Sequence, residues 1–308
     1  MFPIASRLLP RFLSRALGGV AAAATLCAAS VAHADTLTVG GKNFTEQLLL
    51  SNMTAQYLRA KGFTIDLKNG LGTVVMRKAL ESKQLDIVWD YTGTALVVYN
   101  HVKDHLNGEQ SYARVKALDA PKGLVWLNPS PLNNTYALAM KTERAHADHI
   151  ASISDLVSKL KSDAKVKDYV LAVDMEFASR PDGLRGLEKA YGFHLSRAKV
   201  RQMDPGLVYN ALRDSQTQLG LVYLSDGRIK GFDLTPLKDD KGFFPDYSAT
   251  PVVRADVLKA NPKLQELLNA LSAKIDTVKM REMNAKVDIE KQPVDKVAHD
   301  FLTAQGLL

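Results

Sequence analysis

Strand-like and helix-like segments alternate in the first third of the chain, and this alternation most constrains the fold. Short runs of β-forming residues lie at Thr36–Val39, at Phe63–Leu67 and at the start of Leu85–Thr94. Apolar residues at helical spacing follow the first run to about Lys61, and a second helical pattern covers Thr73–Gln84. Strands separated by helices predict a parallel sheet covered by helices, and therefore an α/β fold.

Cap and turn residues predict where these segments begin and end. Asn43 with Glu46 three residues later has the form of a capping box, so the first helix should begin there. Asn69-Gly70 should form a turn after the second strand. Gly93 should build a polar loop after the third strand.

The third strand predicts the position of a ligand site. It places Tyr91 and Thr94 at the carboxyl end of a strand, and ligands of open α/β sheets bind beyond these ends. Three further loops carry a tyrosine at or just after the end of an apolar strand, at Tyr136, Tyr223 and Tyr247. We expect the four loops to meet in one cleft, although for each tyrosine taken alone a core or surface position is the commoner case.

The residue types in these loops indicate the chemistry of the ligand. Aromatic faces attract cations, and a methylated ammonium group is held in this way. Arg180 and Lys42 lie between strands and helices, where with Thr94 they can hold a carboxylate. The pattern favours a ligand with a quaternary ammonium group at one end and a carboxylate at the other. The plain alternatives are a surface salt bridge for Arg180 and a solvated loop position for Lys42.

The amino terminus has the composition of a secretory signal peptide. Three arginines precede an apolar, alanine-rich run, Leu17–Val31, and Ala32-His33-Ala34 is a small-x-small cleavage site. The mature chain should therefore begin at Asp35, with an uncleaved membrane anchor as the alternative. Because residues 1–34 contain no acidic residue, part of the net charge of +7 belongs to the signal peptide.

Several function classes find no support in the composition or the motifs. The remaining charge is mildly basic and scattered, which argues against nucleic-acid binding. The single cysteine, Cys27, lies in the signal peptide, so we expect no disulfide. The pairs His101/His105 and His146/His149 have a spacing that suits a metal, but no carboxylate partner is placed near them by the sequence. Without a nucleophile, zinc-protease or phosphate-loop motif, we expect no metal, no cofactor and no catalysis.

Six stretches of the chain carry a family resemblance. They are Gly41–Gln47, Trp89–Thr94, Asn133–Tyr136, Arg180–Gly183, Tyr223–Gly227 and Phe243–Tyr247. As an ordered set the chain resembles the periplasmic and extracellular substrate-binding proteins of osmoprotectant ABC importers, which take up glycine betaine, choline, carnitine and related quaternary amines. The resemblance covers nearly the whole mature chain.

The resemblance implies a fold and a binding site. The fold is the two-lobed periplasmic binding protein fold (type II-like), in which each lobe is a mixed or mostly parallel sheet flanked by helices and the ligand lies in the interlobe cleft. Residues 35–135 plus 248–308 would form one discontinuous lobe, and residues 136–247 the other, with closure by hinge motion. Carried over loop by loop, the family's ammonium box falls on Tyr91, Tyr136, Tyr223 and Tyr247. Its carboxylate contacts fall on Lys42, Thr94 and Arg180, and a backbone carbonyl contact on Asn134.

The sequence therefore predicts a monomeric periplasmic carrier that delivers a quaternary ammonium solute to a membrane ABC permease and catalyses no reaction. One alternative is a binding protein for another cationic or zwitterionic small molecule, such as an amino acid. A secreted enzyme on a similar two-lobed fold would be identified by turnover of the solute. A purely structural envelope protein would show no saturable binding at all.

Overall fold

The computed structural model describes residues 36–104 and 106–308. The predicted signal peptide, residues 1–34, the predicted first mature residue Asp35 and one residue of the first histidine pair, His105, lie outside the described residues. Among the described residues no helix combines the length and the apolar character needed to cross a membrane.

Ten strands and fifteen α-helices alternate along the described part of the chain. The strands are β1 Leu37–Lys42, β2 Ile65–Leu71, β3 Ile87–Tyr91, β4 Leu124–Trp126, β5 Tyr136–Lys141, β6 Leu171–Asp174, β7 Val200–Met203, β8 Leu219–Tyr223, β9 Leu234–Pro236 and β10 Ala249–Arg254. The helices are α1 Thr45–Ala60, α2 Thr73–Glu81, α3 Thr92–Thr94, α4 Gly108–Asp119, α5 Thr142–Ala147, α6 Ile153–Ser162, α7 Ala164–Lys167, α8 Met175–Ser179, α9 Leu184–Tyr191, α10 Pro205–Arg213, α11 Arg228–Gly231, α12 Ala255–Ala260, α13 Lys263–Ser272, α14 Thr277–Asp288 and α15 Val294–Ala304.

The strands form two mixed five-stranded sheets built on the same plan, and helices flank both. The first sheet has the order β2-β1-β3-β10-β4, and the second has the order β7-β6-β8-β5-β9. In each sheet the first three strands are parallel, which confirms the predicted α/β class. The fourth strand, β10 or β5, then runs antiparallel to its neighbours.

In this arrangement the first residue of the fourth strand lies beside the last residue of the neighbouring third strand. Because β10 is antiparallel to β3, its first residue Ala249 pairs with Tyr91, the last residue of β3. In the second sheet Tyr136 opens β5 and pairs with Tyr223, which closes β8. The expectation that each tyrosine lies at or just after a strand end is therefore wrong for Tyr136, which begins β5, and for Tyr247, which precedes β10. Antiparallel pairing explains how both still reach the same edge as the strand ends.

The first sheet takes its strands from residues 37–126 and 249–254, and the second from residues 136–236. Helix α14, late in the chain, contacts the segment that leaves the second sheet. The Asn284 amide donates to the Ser225 carbonyl oxygen at 3.0 Å, and the Arg281 guanidinium donates to that of Leu224 at 2.7 Å. The lobe boundaries, 35–135 plus 248–308 and 136–247, stay a prediction.

Three local predictions at the ends of the elements are wrong. Helix α1 begins after Phe44, whose backbone is extended and whose side chain cannot accept a hydrogen bond, so no side chain caps the helix, and the Glu46 carboxylate accepts from Tyr91. Residues 69 and 70 belong to β2, where Gly70 adopts the left-handed conformation at a φ of 82° and lets the strand continue past an irregularity. Gly93 lies in α3, because the Thr92 amide donates to the Ser248 carbonyl oxygen and the chain turns at once into a helix.

A buried ion pair joins helices α2 and α4. Arg77 donates to both carboxylate oxygens of Asp119, at 2.6 and 2.7 Å. The indole nitrogen of Trp126 donates to the same carboxylate at 2.8 Å, and burial is nearly complete for all three residues. The carboxylate is thus satisfied by three strong donors, which a buried charge requires.

Candidate functional site

The eight residues predicted for the site line one internal cavity. The cavity has a volume of about 70 Å³ and lies between the edges of the two sheets. The predicted residues that line it are Lys42, Tyr91, Thr94, Asn134, Tyr136, Arg180, Tyr223 and Tyr247. The structure therefore brings together side chains from six separate stretches of sequence, and their roles in binding stay a prediction.

Aromatic rings form a continuous wall of this cavity. Phe44 stacks on Tyr223 with 5.5 Å between ring centroids and lies 6.4 Å from Tyr91. Tyr136 is in edge or tilted contact with Tyr223 at 5.3 Å and with Tyr247 at 5.0 Å. Rings at these separations attract one another and hold their faces in fixed directions. All five of these residues line the same small space.

Three of the tyrosine hydroxyls donate to buried carboxylates, one of which, Asp174, also lines the cavity. Tyr91 donates to Glu46 at 2.6 Å, and Tyr223 donates to Asp174 at 3.0 Å. Tyr247 donates to Asp182 at 2.5 Å. Burial, with the charge of each acceptor, holds the pKa of all three phenols well above its usual value, so each stays a hydrogen-bond donor.

Arg180 is the cation of the second sheet that reaches the cavity. Its Nε and Nη2 donate to the two oxygens of Asp182 at 2.8 and 2.6 Å. Its Nη1 and Nη2 lie 3.4 Å from the Thr94 hydroxyl, across the cleft from the first sheet. The guanidinium carbon also stands 5.6 Å from the ring centroid of Tyr136. One edge of the guanidinium is held by Asp182, and the other faces Thr94 and the cavity.

Lys42 is buried and already paired in this structure. Its ammonium group lies 2.8 Å from Asp90 Oδ1 and 5.0 Å from the centroid of the Tyr91 ring. The Tyr99 hydroxyl donates to the other Asp90 oxygen at 2.9 Å. The alternative of a solvated loop lysine is therefore wrong, since strand β1 carries Lys42 into the interior. Its positive charge reaches the cavity only after compensation by Asp90.

Asn134 lines the cavity and bonds to the segment before β10 and to the segment after β8. Its backbone amide donates to the Tyr247 carbonyl oxygen at 3.1 Å. Its side-chain oxygen accepts from the Ser225 hydroxyl at 3.0 Å. The residue is buried and fixed on both sides, so its position is set by the protein before any ligand arrives.

Glu46 is the site residue whose charge the fold alters most. Its side chain is buried at the start of α1, directly behind Tyr91. Burial raises its pKa to about 7, although the nearby hydroxyls of Ser225 and Tyr91 oppose the rise. A carboxyl group in this position changes its charge close to neutral pH.

Sequence reasoning missed several residues of the site. Phe44 lies in one of the six stretches that carry the family resemblance. Its aromatic side chain, two residues after Lys42, was the signal for a position in the aromatic wall. Asp182 lies two residues from Arg180, a spacing that suits a bidentate pair in a loop. Glu176 gave no signal in the sequence, because its contact is formed across the cleft. Its carboxylate accepts from the Thr73 amide at the start of α2 at 2.9 Å.

Gly183 holds the loop that carries Arg180 and Asp182. Its amide donates to the Arg180 carbonyl oxygen at 3.1 Å, and a Cβ at this position would overlap the Phe177 carbonyl oxygen. We expect Gly183→Ala to lower the free energy of unfolding by about 1–3 kcal/mol, because the backbone must move to relieve the overlap. Urea unfolding at neutral pH measures this loss.

Gly72 offers a matched control for that substitution. Its φ is −72°, and the nearest atom to an added Cβ, Glu176 Oε1, is 3.7 Å away. Gly72→Ala should therefore change the unfolding free energy by less than about 0.5 kcal/mol. Equal stability for both variants would show that the loop at Gly183 is not as tightly held as the contacts indicate.

Comparisons with known proteins agree with this geometry. The family model described as the substrate binding domain of ABC-type glycine betaine transport system matches residues 35–304. A Glycine-betaine-binding protein of Pseudomonas aeruginosa is 49% identical over 290 residues, which is 93% of each chain. The Glycine betaine-binding protein YehZ of Escherichia coli is 33% identical over 282 residues, or 89% of this chain and 92% of the relative.

Two solved structures share the fold at significant identity. Apo YehZ from Escherichia coli matches with a TM-score of 0.66 at 33% identity, over 89% of this chain and 100% of that one. A glycine betaine/carnitine/choline ABC transporter structure matches with a TM-score of 0.71 at 28% identity, over 88% of this chain and 99% of that one. The predicted two-lobed periplasmic binding protein fold is confirmed by these neighbours and by the two sheets.

Proposed function

The chain belongs to the family of substrate-binding domains of ABC-type glycine betaine transport systems, and from this membership we propose that it captures a quaternary ammonium solute such as glycine betaine or choline. The observation that carries the proposal is the aromatic wall, which meets a paired arginine in one small cavity. A quaternary ammonium group offers no hydrogen bonds, so ring faces are the protein groups best suited to hold it.

The ammonium end of the ligand is assigned to the rings. Tyr91, Tyr136, Tyr223 and Tyr247 form the predicted box, and we add Phe44 because it stacks between Tyr91 and Tyr223. Each ring face contributes about 0.5–2 kcal/mol to the binding of a cation, more where water is excluded. Carboxylates behind three of the tyrosines fix the rings and add negative charge behind the box.

The carboxylate end of a zwitterionic ligand is assigned to Arg180 and Thr94. The Nη1 edge of Arg180 and the Thr94 hydroxyl face each other across the cleft at 3.4 Å. A carboxylate between them would receive hydrogen bonds from both lobes and so favour closure. The backbone carbonyl of Asn134 is the proposed further polar contact. Lys42 contributes through its positive charge, which Asp90 partly compensates.

We propose that the protein has the compartment, the oligomeric state and the partner that the sequence predicts. Residues 1–34 act as a signal peptide cleaved after Ala34, and the mature chain works as a monomer in the periplasm. Its two lobes, 35–135 plus 248–308 and 136–247, close on the ligand by hinge motion and present it to a membrane ABC permease. The protein releases the solute unaltered and catalyses no reaction.

Titration calorimetry tests the ligand class directly. The mature protein should give saturable one-to-one heat with glycine betaine and with choline, and none with proline. Tyr91→Ala should weaken both quaternary ligands by roughly tenfold, because one ring face is removed while the other rings remain. Saturable heat with proline alone would favour an amino-acid carrier. Unchanged affinity in Tyr91→Ala would remove this ring from the box.

A further inference from the structure

Glu46 is a buried acid without a cation of its own. Its Oε1 accepts from the Tyr91 hydroxyl at 2.6 Å. Its Oε2 is buried and makes no hydrogen bond among the described residues, since the nearby Ser225 hydroxyl donates to Asn134. The described part of the chain also supplies no ion pair to this carboxylate. A buried carboxylate normally has both a hydrogen-bond partner for each oxygen and an ion pair, because an uncompensated charge in the interior is costly.

The charged groups around Glu46 leave its negative charge uncompensated. Asp226, in the segment after β8, is the like charge that acts on it. Arg228 is occupied, with Nη2 at 2.6 Å from Asp226 and at 3.3 Å from Asp288. On the other side of the Tyr91 ring, Lys42 is held by Asp90. Arg228 and Lys42 thus already have anionic partners, and the cavity in front of the Tyr91 ring is a further place for a positive charge.

We propose, on the basis of the proposed function, that Glu46 is a positioning residue behind Tyr91 that ionises when the ammonium group binds, so that ligand capture releases a proton. The phenol of Tyr91 separates the carboxylate from the cavity. An ionised Glu46 is the stronger acceptor for this phenol and holds the ring in the wall. It also supplies the negative charge that a cation against the ring face requires.

The direction of the coupling follows from charge. In the ligand-free protein burial raises the pKa of Glu46 to about 7, so near neutral pH the group is partly protonated. A cation on the cavity side of the Tyr91 ring stabilises the ionised form of Glu46 and lowers its pKa. A drop of one pKa unit would release roughly 0.4 proton per ligand at pH 7. The affinity would then rise by about eightfold between pH 5.5 and pH 8.5.

Asp174 is the other buried acid next to the wall, and it provides the matched control. Burial raises its pKa too, and its carboxylate accepts from Tyr223 at 3.0 Å, as that of Glu46 accepts from Tyr91. It differs from Glu46 because the Phe177 amide also donates to it, at 2.7 Å. This additional donor favours the ionised form. We therefore assign the proton release to Glu46 and not to Asp174.

Calorimetry in two buffers of different ionisation enthalpy, phosphate and Tris, measures the released proton at pH 7. Neither glycine betaine nor choline changes its own charge near neutral pH. The full mature protein should release about 0.4 proton with each ligand. Glu46→Gln keeps an oxygen that can accept from Tyr91 but cannot ionise. It should bind one-to-one, release no proton and show an affinity that stays constant with pH. Asp174→Asn should still release the proton.

Each outcome decides the inference. Proton release that persists in Glu46→Gln, or that disappears in Asp174→Asn while Glu46 is intact, would overturn the assignment. Normal binding by the unaltered protein without proton release would overturn the inference and leave the proposed function standing. Absence of saturable heat with both quaternary ligands would overturn the proposed function, and the inference with it. If Glu46→Gln does not fold, the Glu46 carboxyl resonance of the unaltered protein can be titrated by NMR with and without choline. An unshifted pKa would then count against the coupling.

Discussion

Replacing Arg180 with alanine is expected to weaken glycine betaine binding by about 100-fold and choline binding by less than about fivefold. The guanidinium edge beside Thr94 is the donor assigned to a ligand carboxylate, and choline has no carboxylate to lose. The substitution also leaves the negative charge of Asp182 without its partner. That charge lies at the wall and attracts a cationic ligand, which reduces the loss of affinity for choline. Calorimetry with both ligands measures the ratio.

The loss of a buried ion pair needs a control, because Arg180→Ala should also lower the unfolding free energy by about 3–5 kcal/mol. Arg77→Ala is matched, since Arg77 is equally buried and binds Asp119 through two hydrogen bonds. It does not line the cavity. Arg77→Ala should destabilise the protein by a similar amount and leave the ratio of the two affinities unchanged. A similar loss of affinity for both ligands in Arg180→Ala would exclude Arg180 as the residue that binds the ligand carboxylate.

Tyr136→Ala is expected to lower the unfolding free energy by about 3–5 kcal/mol and to weaken every quaternary ligand by at least about tenfold. Its ring lies at the centre of the wall. Besides Tyr223 and Tyr247 it contacts Phe177 at 5.3 Å and Phe244 at 5.8 Å between centroids. Removing it opens a space in the packing of the second lobe and removes a face from the ammonium box.

Tyr136→Phe separates the ring from its hydroxyl. It keeps all four ring contacts, so both the stability and the affinity should stay within about 1 kcal/mol of the unaltered protein. Chemical unfolding and calorimetry on the two variants give the comparison. A large loss in Tyr136→Phe would move the role of this residue from its ring to its hydroxyl group.

The rings and Arg180 could be predicted from the sequence, whereas the acids that orient them could not. Tyr91 and Tyr223 end apolar strands, and Arg180 follows one, so their common edge can be inferred from strand patterns. The contact of Tyr91 with Glu46 joins residues that lie 45 positions apart. That of Tyr247 with Asp182 joins residues 65 positions apart. Only the folded chain determines such pairs.

The error at the start of α1 has the same origin. Asn43 and Glu46 have the spacing of a capping box, and the local sequence alone favours that interpretation. In the structure the Tyr91 phenol competes for the Glu46 carboxylate and binds it in the interior. The N-cap position falls on Phe44, which has no acceptor side chain, so the helix begins without a side-chain cap. A rule of local structure is broken here at a residue that we assign to the site, which is where such exceptions are expected.

The place of β10 in the first sheet bears on the order of folding. This strand joins β3 to β4, yet the whole second sheet lies between β4 and β10 in the chain. A chain that emerges amino terminus first therefore presents β3 and β4 with unpaired edges, while the strands of the second sheet follow without interruption. The second sheet can close first, and the first must wait for its fourth strand. Such edges readily pair with other chains, so the chain is exposed to aggregation during folding in the interval before β10 arrives.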